Sequence, residues 1–186
     1  MSGMTDSLRR AIDEFDRRVV AVSDDQWTDP TPCSDWNVRD LVNHVTAEVL
    51  WASLLLDGRT LEEVGDRFDG DVLGGDPIGT WSRARQGTLD ALNESMVSDV
   101  HTSMGQIDTD EYLGQLLADH LIHAWDLARG IGADETLDPE LVSLCHRLSL
   151  PAADLMAASG LFGSQVVPPA GSGPQVRLLA LYGRRA

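Results

Sequence analysis

The chain has 186 residues with 30 acidic and 14 basic side chains, a formal net charge of −16: enough for one ordinary core, but the wrong sign for nucleic acid or an anionic membrane surface. No stretch approaches the roughly 20 apolar residues of a spanning helix, the start MSGMTDSLRR has no apolar signal region, and Cys33 and Cys145 make neither a disulfide framework nor a Cys-rich zinc motif. The expectation is a cytoplasmic protein with no membrane and no nucleic-acid partner, whose charge serves solubility.

Residues 6–22 set Leu8, Ala11, Ile12, Phe15, Val19 and Val22 at helical spacing, with Asp6 or Ser7 as the cap. Pro30 and Pro32 keep the link that follows, SDDQWTDPTPCSDWN, out of a helix. Asn37 and Asp40 have capping-box spacing, Asp standing in for the usual Glu or Gln, and predict a second helix over 38–56. Its main stripe is Val38, Leu41, Val42, Val45, Val49 and Ala52; His44 lies beside it, on a line with Leu41, Glu48, Trp51 and Leu55. Residues 57–78 are rich in Gly and Asp, too long for an ordinary connection, and read as a crossover with a short helical turn over 61–68. A third helix over 79–96 carries Trp81, Ala84, Thr88, Leu89 and Leu92 inward. The segment SDVHTSMGQIDTD, with His101 and Gly105, suits a brief extended or hairpin-like piece.

Thr109 caps a fourth helix, Asp110 and Glu111 favour its positive end, and Gly130 suits a left-handed terminus after Arg129. Asp138 and Pro139 open a fifth helix through Leu141, Leu144, Cys145 and Leu148, which breaks at Pro151 and resumes to about Ser159. The tail holds the loop VVPPAGSGP and a short amphipathic piece, QVRLLALYG, ending at Gly183. The reading is all-α: one domain over 1–186, with a core at about 6–133 and a C-terminal helical extension over 134–186.

The fourth helix contains LLADHLIHAWDLARG, residues 116–130. Asp119 and His123 are about 40° apart on the helix, close enough for both to reach one divalent ion. The apolar stripe through Leu113, Leu117, Ala124 and Leu127 turns this cluster toward the interior, where polar groups must be paired or coordinated. His44 from the second helix would complete three ligands and leave a position open for water or substrate, the pattern of a catalytic metal. On helical geometry a His44–His120–His123 site is as good. The bland alternative is a core histidine bonded to a carbonyl and Asp119 paired with an arginine. Asp40 reads as a cap, at most supporting the site from behind. Asp126 either caps or orients a ligand histidine. Cys33 is either a reactive thiol near a helix start or, more simply, a small buried hydrophobe. His101 and His146 read as surface or interface residues, and Trp51 and Trp125 as packing.

The patterns WTDPTPCSDWNVRDLVNHV at 27–45, HAWDLARGIG at 123–132 and RLLALYGR at 177–184 resemble the mycothiol-dependent maleylpyruvate isomerase N-terminal domain group, within the DinB-like four-helix bundle superfamily. The resemblance implies a four-helix bundle with a long crossover between its second and third helices. It also implies a divalent metal, zinc first and nickel second, on His44, Asp119 and His123, which favours Asp119 over His120. The isomerase carries Glu where this chain has Asp119, and a separate C-terminal domain where this chain has a helical tail, so substrate identity does not transfer. The implied chemistry is a metal-activated low-molecular-weight thiol, mycothiol as cosubstrate, reacting with an electrophile by S-transfer or isomerisation, with Glu48 or Asp126 relaying protons or orienting ligands. A non-catalytic bundle that senses a metal or ligand is the alternative, and a homodimer through helical faces is a further expectation.

Overall fold

A computed structural model describes residues 2–103, 105–155 and 164–186. Four long helices form the bundle: α1 (Ser2–Val19), α2 (Val38–Leu56), α4 (Pro77–Ala91) and α5 (Thr109–Gly130). α1 lies along α5, α2 packs on both α4 and α5, and α4 touches α1 to close the ring. Between α2 and α4 runs the long crossover, which holds only the four-residue helix α3 (Leu61–Val64). A hairpin of β1 (Asp99–Thr102) and β2 (Gly105–Asp108), antiparallel with Val100 opposite Ile107, leads into α5. α6 (Pro139–Ser149) packs on α5, and α7 (Pro174–Leu181) packs on α6. The architecture is the all-α bundle with a crossover and C-terminal extension that the sequence leads one to expect.

The apolar periodicity explains the ring. Leu8, Ala11, Ile12, Phe15 and Val19 of α1 are buried, as is the whole stripe of α2 from Val38 to Ala52, with Trp81, Ala84 and Thr88 of α4. The crossover is fastened to α2 rather than loose: Asn43 Nδ2 donates to Gly70 O at 2.8 Å, and its Oδ1 accepts from Val72 N at 2.8 Å. Among the described residues no helix is long and apolar enough to cross a membrane.

Element ends differ from the expectation for local reasons. α1 begins at Ser2, ahead of Asp6 and Ser7, because Met4 continues the buried stripe one turn before Leu8. The helical turn in the crossover stops at Val64, where Gly65 takes a positive φ of 65°. α4 starts at Pro77 behind the cap Asp76, whose Oδ1 accepts from Gly79 N at 3.0 Å. It ends at Ala91 instead of 96, freeing the chain so that Val97 N can donate to Leu56 O at the end of α2. The cap of α5 is Asp108, not Thr109; the Thr109 hydroxyl donates to Val97 O at 2.7 Å. α6 gives way at Leu150–Ala152 to a tighter 3₁₀ turn around Pro151; the chain is helical again over 153–155, and the rest of the expected continuation to Ser159 lies outside the described residues.

Candidate metal centre

The capping box at Asn37 and Asp40 starts α2 so that His44, two turns in, faces α5. From α5, Asp119 and His123 meet it. Asp119 Oδ1 lies 3.3 Å from Nε2 of His44 and 3.4 Å from Nε2 of His123, and the two imidazoles stand edge to face with ring centres 5.1 Å apart. One potential ligand atom from each of the three residues lies within 4.8 Å of the others. His123 is nearly buried, while His44 and Asp119 keep about a quarter of their side-chain surface exposed, at 28% and 26%. The cluster is therefore open on one side.

The link before α2 supplies the cover. Gly130, at the end of α5, carries no Cβ, and one placed there would come within 3.3 Å of Pro30 O. That close approach brings Cys33 and Trp36 onto the α5 surface. Trp36 stacks its ring 4.6 Å from that of His44 and 5.7 Å from that of His123. Left-handed backbone follows two residues later, at Gly132 with φ 68°, rather than at Gly130.

Behind His123 stands a second layer. Its Nδ1 is 3.0 Å from Oδ2 of Asp126, which is fully buried and also accepts from Arg184 Nη2 at 2.7 Å. Burial opposes charge on His123, but the Asp119 carboxylate and hydrogen bonds to Asp119, Asp126 and Cys33 outweigh it and hold its pKa well above the ordinary value. Burial would likewise raise Asp119; His123 and His44 instead hold it well below the usual carboxylate range. Asp126 is held down against burial by His123 and Arg184. Glu48 moves the other way: burial and the neighbouring Asp119 charge push its carboxyl up, partly offset by His44 and His123.

The donor set suits a divalent ion. With Nδ1 of His123 donating to Asp126, a neutral ring turns a lone pair at Nε2 toward a carboxylate oxygen, an arrangement that only a proton or a cation between them makes favourable. Asp119 Oδ2 adds a buried oxygen without a hydrogen-bond partner, a cost that coordination would remove. Two imidazoles and one carboxylate with an open side form a familiar ligand set for zinc, iron or nickel.

His120 does not join the cluster. Its Nδ1 donates to Leu116 O at 2.8 Å and its ring sits near Phe15 and Trp81, fully buried, with Nε2 unpartnered. Asp126 orients His123 and does not cap. Cys33 is neither beside a helix start as a lone thiol nor an apolar filler: it is half-buried, with Sγ 3.3 Å from Asp126 Oδ2 and 3.0 Å from Arg184 Nη2. His101 is exposed on β1, His146 is half-buried on α6, Trp125 is buried and Trp51 packs edge-on against Phe68. Trp36 and Arg184 were not visible as site residues in the sequence, since neither has a local motif linking it to α5.

Residues 8–128 match the family model of the mycothiol maleylpyruvate isomerase N-terminal domain. The chain belongs to this family. Two relatives, the uncharacterized protein MT0763 of Mycobacterium tuberculosis strain CDC 1551 / Oshkosh and the uncharacterized protein Rv0738 of strain H37Rv, are each 27% identical over 181 residues, covering 87% of this chain and 80% of theirs. No solved structure matches the chain. The family match spans α2 and nearly all of α5, hence His44, Asp119, His123 and Asp126, and ends before α6, α7 and Arg184.

Proposed function

We propose that the protein is a divalent-metal-dependent enzyme that joins a low-molecular-weight thiol to an electrophile, or isomerises the electrophile through transient thiol addition. The observation that carries this reading is the convergence of two imidazole Nε2 atoms on one oxygen of Asp119 in a cluster open to one side. His44, Asp119 and His123 would hold the ion, zinc first and nickel second. When bound, such an ion supplies Lewis acidity that stabilises a thiol sulfur as thiolate at neutral pH. Mycothiol as the thiol is supported by the family description.

The chain's own groups divide the remaining work. Asp126 fixes which nitrogen of His123 faces the centre, the usual task of a carboxylate behind a ligand histidine. Trp36 lies over both imidazoles and limits water on that side. Glu48, one turn after His44, with a carboxyl pKa raised by burial and by Asp119, is the group that accepts the proton leaving the thiol. The open side of the cluster admits the electrophile.

Elemental analysis of the purified protein beside His44→Ala, His123→Ala and Glu48→Gln tests this. Near-stoichiometric zinc or nickel is expected in the wild type and lost in both histidine variants. Glu48→Gln is expected to keep its metal but slow conjugation of a thiol to a test electrophile by roughly 10²–10⁴-fold. No metal, even after incubation with zinc and nickel salts, overturns the proposal; bound metal without thiol conjugation leaves a metal-sensing bundle in its place.

A further inference from the structure

Arg184 comes from the C-terminal extension, beyond the residues that match the family. Its guanidinium grips Asp126 with two prongs, Nη2 to Oδ2 at 2.7 Å and Nε to Oδ1 at 3.1 Å, and the same Nη2 donates to Cys33 Sγ at 3.0 Å. The fork is itself held: Nη1 donates to Tyr182 O at 2.7 Å, and the Arg184 backbone N–H donates to Leu179 O at 2.8 Å. Only 11% of the Arg184 side chain is exposed, and none of that of Asp126.

Cys33, Asp126 and His123 form a second set whose ligand-type atoms lie within 4.8 Å of one another. The two sets share His123. Its Nε2 faces Asp119 and His44, and its Nδ1 faces Asp126. A thiolate, an imidazole and a carboxylate are donors that zinc and cobalt take readily. One imidazole therefore has a cation position on each side, and the guanidinium already stands against two of the three members of the inner one.

We infer that Arg184 is a positioning residue: a tethered cation that occupies the Cys33–Asp126–His123 set, commits His123 to the centre through Nε2, and keeps Cys33 from becoming a metal ligand. Without Arg184, Asp126 is a buried carboxylate stripped of its cation beside a thiol. A soft divalent ion then becomes its replacement partner. The inference rests on the metal reading above for the outer position, but not for the inner one.

Cobalt(II) titration followed by absorption decides it, since a thiolate ligand adds a near-ultraviolet charge-transfer band that imidazole and carboxylate do not. Wild-type protein is expected to bind cobalt without this band, and Cys33→Ser to leave affinity unchanged. Arg184→Met is expected to gain the band, to lose it again when combined with Cys33→Ser, and to bind at the outer position roughly 10–100-fold more weakly. A band already present in wild type, or none in a folded Arg184→Met that binds cobalt, overturns the inference while leaving the outer metal site standing. Cobalt bound with the band in Arg184→Met but not at all in wild type supports the inner half of the inference, Arg184 as the cation that keeps Cys33 from a metal, and overturns the outer half together with the outer site. Binding in neither removes both. Should Arg184→Met fail to fold, wild type against Cys33→Ser still decides: a band that Cys33→Ser abolishes overturns the inference, and its absence with unchanged affinity supports it.

Discussion

His123 sits between two carboxylates, and that position sets how the centre responds to pH. In the metal-free protein the proton on Nε2 is favoured, because Asp119 faces that nitrogen while Asp126 faces the other. A metal must displace this proton, so loading releases it and apparent affinity rises with pH, by up to about tenfold per unit, until the raised pKa is passed. An ordinary imidazole, titrating near 6.5, would level off close to neutrality. The expected outcome is a zinc affinity that is still climbing between about pH 7 and pH 8, with a flatter slope in Asp126→Asn, which removes one of the charges holding the proton. Competition titration with a chromophoric chelator at several pH values measures this. An affinity that has levelled off by about pH 7 would contradict it. His120, one residue from Asp119, behaves oppositely: burial first, and the nearby charges of His123 and His44, hold its pKa down despite Asp119, so it stays neutral against Leu116 O.

At the scale of elements, caps fix where the helices stand, and the cap of α6 carries an ion pair. Asp138 Oδ1 accepts from Glu140 N at 2.9 Å and Leu141 N at 3.3 Å, while Arg10 of α1 pairs with Oδ2. Although burial alone would raise Asp138, Arg10 and the two backbone bonds lower its pKa. A carboxylate depressed in the folded state stabilises above its unfolded value, near 3.9, and loses that contribution as pH falls through the folded value. Asp138→Asn keeps a capping oxygen but not the charge. It is expected to cost about 0.5–1 kcal/mol at neutral pH, a difference that shrinks below about pH 4 in urea unfolding. A gap that stays constant on acidification would assign the loss to shape. These caps were largely legible in the sequence, as were the stripes of α1 and α2 and the i, i+4 pair on α5, because each is written in residues a few positions apart. Asp108 was missed as a cap because Thr109 beside it is equally suited by type. The contact between Arg184 and Cys33 could not be read: they are 151 positions apart, and no periodicity links a tail to a link between helices. Trp36 is legible only as an aromatic in a Pro-rich link until Gly130 is known to draw that link onto α5.

For the whole molecule the decisive quantity is charge imbalance. All 14 basic residues are arginine, and the net charge of −16 leaves many carboxylates without a basic partner. Added salt acts on the fold in two opposing ways. It weakens pairs such as Arg10–Glu140, Arg39–Asp71 and Arg129–Glu135, each exposed enough that water and counter-ions already screen it. It also screens repulsion among the unpaired carboxylates, which the compact state concentrates and the unfolded chain relieves. The screening length falls from about 30 Å at 0.01 M to about 3 Å at 1 M. The first distance spans a domain of this size, so at low salt every unpaired carboxylate repels every other, whereas each ion pair is one short contact. Repulsion therefore dominates, and the thermal midpoint is expected to rise as sodium chloride goes from about 0.01 M to about 0.5 M. Sodium sulfate would confuse the test by strengthening apolar burial, so chloride is the salt to use. A midpoint that falls would mean that the arginine pairs, rather than the excess acid, govern the fold, and that replacing a surface Asp by Asn would bring no gain in stability.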